Sequence, residues 1–236
     1  MDEEVEQTMK ALQHNRFDVR SAETAEAAKR IVLDIIPQEA VVGIGDSATV
    51  RQIGVLPELE RRGTRVINPF KTEIHKNTEL LQQMTREALR SDVFLTSSNT
   101  VTLDGKLVNT DMVGNRVAGM IYGAKKVVLV VGKNKIVKDV EEALYRLRHL
   151  ITPYHAARKK RKVPCAVSGE CNDCNTIERV CNVTTIIEKK PYWTDLTIVF
   201  IDEDLGLAWS PSWTQERISR VKAKYEEVTE PIILLD

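Results

Sequence analysis

The sequence predicts an α/β protein built on an open, mostly parallel sheet with helices on both faces. Two patterns point there. Several apolar runs are continuous rather than alternating, above all residues 126–131 (KVVLVV), as expected of strands buried on both sides. Amphipathic helical stretches separate these runs, the arrangement that builds a parallel sheet. With 236 residues and a hydrophobic fraction of 42%, the chain can bury one sizeable core and a small appendage. Residues 1–236 are therefore read as a single α/β domain, with residues 153–182 as a basic, cysteine-rich insertion within it.

Each element has its own signal. Residues 3–14 place Val5, Met9 and Leu12 on one helical stripe, and residues 22–36 repeat the pattern until Pro37 stops it. Residues 17–20 suit a short strand between them. Residues 40–45 (AVVGIG) form an apolar run halted by glycine, and Ser47 then opens a helix. Residues 64–68 and 92–96 are further strands, with a helix over 79–90 between them. Residues 102–108 carry Asp104-Gly105 between short apolar runs, a hairpin-turn signal. Residues 115–122 are a short helix or an extended piece. Residues 126–131 are the clearest parallel strand, and a helix over 139–150 follows. Residues 183–187 and 197–201 restore β character, and residues 212–228 suit a closing helix.

Composition excludes some functions. Lys+Arg and Asp+Glu number 34 each, and aromatic residues are 5%, so neither a global positive field nor a base-stacking surface recommends nucleic acid as a partner. The first ten residues hold four carboxylates and no apolar core of signal-peptide length. The longest apolar run, residues 127–132, is far short of the roughly 20 residues a spanning helix needs. No membrane span and a cytoplasmic location are expected, and there thiols stay reduced.

That compartment shapes the reading of the cysteines. All four lie within seventeen residues, spaced Cys165-x5-Cys171-x2-Cys174-x6-Cys181. Thiolates suit zinc or an iron–sulfur centre, and a Cys-x2-Cys pair can grip one centre, with Gly169 and Asn172-Asp173 supplying tight turns. Four-cysteine zinc sites usually use two close pairs, whereas this segment has one. Its spacing resembles, nearly in mirror image, the 4Fe-4S loops of the endonuclease III glycosylase family. A 4Fe-4S cluster on Cys165, Cys171, Cys174 and Cys181 is the expectation, with zinc the alternative. The basic run at residues 158–162 would lower the thiol pKa values and offset cluster charge.

The polar loops at strand ends suggest a ligand site. Gly43, Gly45, Asp46, Ser47 and Thr49 follow one strand, and Ser97, Ser98, Asn99 and Thr100 follow another. Asn109, Asp111, Asn115 and Arg116 come soon after. In open parallel sheets ligands sit beyond the carboxyl ends of the strands, so these loops should face one crevice, with Arg116 as clamp for a carboxylate or phosphate. Neither a dinucleotide fingerprint nor a P-loop is present. The four histidines are scattered; Lys133 and Lys135, after the strand at 126–131, could reach the same crevice, with a solvated loop the favoured reading.

The segments GIGDSAT and TSSNTVTLDGKLVNTDMVGNRVAGMIYGAKKVVLVVGKNKIVKDVEEA resemble the LUD family of lactate-utilisation domains. The matching positions are Gly43, Gly45, Asp46, Ser47, Thr49, Asn99, Asp104, Gly105, Asn109, Asp111, Asn115 and Arg116. The resemblance implies a fold like the ribose-phosphate isomerase and CoA-transferase group, and a link to L-lactate oxidation alongside iron–sulfur partner proteins. Two functions are expected from the whole. The first is an iron–sulfur redox protein or accessory subunit of 2-hydroxy-acid metabolism, an oxidoreductase component that binds a small anionic metabolite and meets redox partner proteins. The second is a non-redox binder or transferase of phosphorylated or acyl metabolites with structural zinc.

Overall fold

The computed structural model describes residues 2–74 and 77–229. Helix α1 (Glu3–His14) leads into β1 (Asp18–Ala22), α2 (Ala25–Ile35), β2 (Val41–Ile44), α3 (Ala48–Gln52), α4 (Val55–Arg61), β3 (Arg65–Ile67), α5 (Thr78–Ala88) and β4 (Val93–Thr96). A short hairpin of β5 (Thr100–Thr102) and β6 (Leu107–Asp111) precedes α6 (Asn115–Ile121), β7 (Lys126–Gly132), β8 (Ile136–Val137) and α7 (Val140–Arg146). Then come α8 (Thr152–Arg158), α9 (Pro164–Ser168), β9 (Val183–Ile187), β10 (Asp195–Ile201) and α10 (Gln215–Glu227).

The main sheet runs β1-β10-β7-β4-β2-β3, and each of its pairings is parallel. The continuous apolar run of β7 has the cause expected. Val127, Leu129 and Val131 enter a core with α1 and α6, while Val128 and Val130 enter the opposite core under α2 and α4. Strand β10 alternates likewise, with Ile198 and Phe200 on one side and Val199 and Ile201 on the other. The predicted architecture, an open parallel sheet with helices on both faces, is the one observed.

A second sheet, β8-β5-β6-β9, was not anticipated. Strands β5 and β6 form the expected hairpin, with Gly105 in the left-handed region at φ +79°. A Cβ there would stand 2.6 Å from the Ala11 backbone, so glycine also permits the close approach of α1. Strand β9, read only as renewed β character, pairs antiparallel with β6 and so returns the chain from the cysteine segment to the hairpin. Helix α4 had no sequence assignment. The helix over 139–150 does not stop: a π-helical turn, Leu147–Ile151, joins α7 to α8. Such turns often lie at functional sites.

The order of the main sheet fixes where a ligand could sit. From β2 the chain passes outward to β3, and from β4 it passes the other way to β7. The loops after β2 and β4 therefore leave neighbouring strands in opposite directions and open a crevice at the carboxyl edge.

Candidate functional site

A cavity of about 300 Å³ occupies that crevice. The loop after β2 supplies Asp46, Ser47 and Thr49, and the loop after β4 supplies Ser97, Ser98 and Asn99. Asp111, Asn115 and Arg116 close one side, and α8 with the chain beyond it closes another. Among the described residues, five basic side chains (Arg51, Arg116, Lys135, Lys159 and Arg161) line it against two carboxylates, Asp46 and Asp111. Both carboxylates are engaged, Asp46 by Arg51 and Asp111 by Arg116.

Three of the twelve loop residues proposed from sequence do not line the cavity. Gly43 lies inside β2, where a Cβ would come within 2.2 Å of the Ala88 carbonyl oxygen. Gly45 is pressed on Thr96, whose Oγ1 would be 2.7 Å from a Cβ. Both glycines serve close packing. Asn109 is wholly buried and holds the wall from behind: its Oδ1 accepts from the Asn99 N–H (2.8 Å) and from Arg116 Nη1 (2.9 Å).

Arg116, expected to clamp a ligand, has turned its guanidinium to the protein. Nη1 donates to Ser97 O and Asn109 Oδ1, and Nη2 donates to Asn99 Oδ1, Thr110 O and Asp111 Oδ1, at 2.6–2.9 Å. Asp111 uses its other oxygen to accept from the Val117 N–H at 3.0 Å. Arg116 thus binds the loop after β4 to the end of β6 and the start of α6, and contributes charge to the cavity wall. Ser47 is likewise committed, accepting from the Val50 N–H as the N-cap of α3.

The residues to which the sequence gives least weight are the more telling ones. Lys135 follows the weaker of its two sequence readings, the crevice and not the solvated loop, and is 4% exposed. The turn after β7 folds it inward, where Nζ donates to Thr49 Oγ1 (2.8 Å), Ser97 Oγ (2.5 Å) and Ser98 O (2.8 Å). Burial, reinforced by the positive charge of Arg116, pulls its pKa down to about 7. His155 and Lys159, four apart at the end of α8, face the same space. Burial, with Lys159 beside it, lowers the His155 pKa to about 4, and its Nδ1 lies 2.6 Å from the Tyr225 hydroxyl. Burial would push Asp46 up, but Arg51 and Lys159 hold it well below the usual carboxylate range. The Arg161 Nε–H is buried and has no hydrogen-bond partner among the described residues. His14 ends α1 and His149 stacks on Tyr145, so neither reaches the cavity; His75 lies outside the described residues.

The cysteine segment flanks this cavity. All four cysteines are free thiols, Cys165 buried and the others half-buried. Gly169 and Asp173 adopt the left-handed conformation that the segment's tight turns need. Arg179 staples the loop, donating to the carbonyls of Cys174 (2.5 Å) and Cys181 (3.4 Å) and pairing with Asp173 at 2.8 Å. Cys171 and Cys181 line a small cleft with Thr110 and Thr152, which also line the main cavity. The expected lowering of the thiol pKa is not seen at Cys165: burial pushes it up, and the other three cysteines add to the rise. The basic run also disperses. Arg158 pairs with Glu226, and Lys159 and Arg161 turn to the cavity. Cys174 packs against the small cluster that holds Cys165, Cys171 and Cys181 share the cleft, and four thiols are the right donors in kind for a cluster. Among the described residues, no group of three or more His, Cys, Asp or Glu side chains is arranged to hold a metal ion.

No described helix is long and apolar enough to cross a membrane. The family model described as the LUD domain matches residues 5–201. No curated protein matches the sequence. Among solved structures, the chain is similar to a DUF162 family protein from Deinococcus radiodurans, with 13% identity over 84% of this chain and 96% of that one, at a TM-score of 0.48. It is also similar to ribose 5-phosphate isomerase A from Neisseria gonorrhoeae, with 19% identity over 50% of this chain and 56% of that one, at a TM-score of 0.33.

Proposed function

This chain belongs to the LUD domain family, the lactate-utilisation-related group, and on that premise we propose that its carboxyl-edge cavity binds a small anionic metabolite of the 2-hydroxy-acid class. One observation carries this reading. Even with Lys135 neutral, four basic side chains surround a cavity of about 300 Å³ whose two carboxylates are already paired, which leaves a positive field and an unused Arg161 donor for an incoming anion. The hydroxyls of Thr49 and Ser97 and the Asn115 side chain stand in the same wall to orient a second polar group. A carboxylate bearing a neighbouring oxygen matches that set.

The finer proposal is an iron–sulfur redox protein or accessory subunit of that metabolism, working in the cytoplasm with redox partner proteins. Residues 153–182 would be the metal-binding insertion of a single domain, with Cys165, Cys171, Cys174 and Cys181 holding a 4Fe-4S cluster that supplies one-electron chemistry when bound. The shared walls at Thr110 and Thr152 support a functional link between the cysteines and the cavity. The second reading, a non-redox binder or transferase of phosphorylated or acyl compounds with structural zinc, is favoured by the packing of Cys165 among Ala156, Val163 and Val180, as a brace would require.

The anion reading is tested by thermal stabilisation of the full chain with L-lactate, pyruvate and phosphate. A ligand of the native state raises the melting temperature with concentration. Saturable stabilisation by at least one of the three, weakened in Arg161→Gln, is expected. No stabilisation by any of them would overturn the proposal.

A further inference from the structure

We propose that Lys135 is a nucleophile that forms an imine with the carbonyl carbon of a 2-oxo acid held in the cavity. This deepens the anion-site reading and rests on it, by assigning the oxidised partner of a 2-hydroxy acid as a substrate and one side chain as the reacting group.

The geometry carries the argument. Lys135 is carried in by the turn after β7 and lines the cavity while remaining almost wholly buried. Its Nζ meets two hydroxyls and a carbonyl, and among the described residues no carboxylate lies within ion-pair distance of it. A lysine kept as a charged strut in such a place would be expected to face a carboxylate, because uncharged acceptors compensate a buried ammonium poorly. The same surroundings suit a neutral amine, since it can keep donating to Ser98 O and to one hydroxyl while the other, Thr49 or Ser97, reverses its hydrogen bond and donates to the single lone pair. Space for the side chain is reserved by Gly206: a Cβ there would stand 2.8 Å from Lys135 Cε and 2.9 Å from its Nζ. The depressed pKa agrees with this placement, because a nucleophilic lysine must be neutral near physiological pH.

The chemistry balances without an oxidant or reductant. The lysine lone pair forms the C–N bond while the carbonyl π electrons move to oxygen, which takes a proton from a Thr49 or Ser97 hydroxyl. The nitrogen, now carrying a positive charge, returns one proton to that Thr49 or Ser97 oxygen and leaves a neutral carbinolamine. Its second proton passes by the same hydroxyl to the carbinolamine oxygen, the C–O bond breaks as the nitrogen lone pair forms the C=N bond, and amine plus ketone become imine plus water. Arg161 would hold the carboxylate of the same molecule, so that an acid with a 2-oxo group reacts and a simple ketone does not.

The test is reductive trapping on the full chain. Protein is incubated with pyruvate with and without sodium borohydride, the intact mass is measured, and the modified peptide is sequenced; pyruvate binding is measured in parallel by calorimetry. The expected result is one reduced pyruvate per chain on Lys135, requiring both reagents, absent with acetone and lost in Lys135→Arg, which keeps the charge but cannot form an imine. Pyruvate binding without an adduct, or an adduct on another lysine, would overturn the assignment and leave the anion site standing. Neither binding nor adduct would remove both. Because the modified residue is located in the unsubstituted chain, the result does not depend on any variant folding.

Discussion

Replacing Arg116 with Met tests whether this arginine holds the cavity wall together. The side chain makes five hydrogen bonds to two segments, the loop after β4 and the end of β6, and both members of its pair with Asp111 are about nine-tenths buried, at 9% and 8% side-chain exposure. Methionine keeps most of the volume, so a cavity contributes little. The loss is electrostatic: Asp111 would retain the Val117 N–H as partner but no cation. Leaving one member of a buried ion pair unpaired costs about 3–5 kcal/mol. For a chain of this size that corresponds to a fall in melting temperature of roughly 6–20 °C. The assay is urea unfolding followed by far-UV circular dichroism, with Arg116→Met, Asp111→Leu and the double variant compared. The double variant should lose much less than the sum of the single ones, because removing both charges removes the unpaired one. A loss below about 1 kcal/mol in Arg116→Met, or strict additivity, would refute the reasoning.

Three further expectations follow from other parts of the site. Lys135 has a native pKa of about 7 against 10.5 in the unfolded chain, so between these values the unfolded state holds the extra proton and native stability rises with pH, by up to about 1.4 kcal/mol per pH unit. Urea midpoints measured from pH 7 upward should show this slope in the parent and lose it in Lys135→Met; equal slopes would contradict the burial argument. Gly206→Ala should cost about 1–3 kcal/mol in the same assay, because Gly206 has φ +77° and the new Cβ would lie 2.3 Å from Thr49 Oγ1; an unchanged midpoint would show that the loop yields freely. Anaerobically purified protein should be brown, with iron and sulfide that are lost in Cys171→Ser. A colourless protein with one equivalent of zinc would transfer the four thiols to the structural reading.

The parts of this molecule legible in its sequence are those in which local pattern and tertiary role coincide. The residues of β7 show their position because both of its faces are buried, which leaves no polar alternation to mislead. The hairpin announced itself through Asp104-Gly105, where the turn demands a positive φ. The polar loops after β2 and β4 were found because strand ends at the carboxyl edge are where such sheets place ligands. The failures share a different cause. Lys135 looks solvated until Thr49 and Ser97 arrive from 86 and 38 residues away, and nothing near it in sequence reports that burial. The pairing of β9 with β6 is equally non-local, matching Asn109 to Thr185. The basic run misled because a charge run suggests one face. In the structure α8 ends at Arg158 and Lys160 turns the chain at φ 52°, so Lys159 is buried, Lys160 is exposed and Arg161 enters the cavity. The one usable signal was the spacing of His155 and Lys159, which puts both on one side of a helix. Gly43 and Gly45 misled in the opposite sense, since a glycine-rich strand end looks the same whether it approaches a ligand or a neighbouring helix and strand.

The central claim is that the positive field of the cavity selects a small carboxylate. It is tested most directly by calorimetric titration of the full chain with lactate and, side by side, with lactamide, which keeps the shape and hydroxyl but carries no charge. Lactate should bind saturably and lactamide at least about ten-fold more weakly, a difference of about 1.4 kcal/mol. Equal affinities for the two, or no detectable binding of lactate, would contradict it.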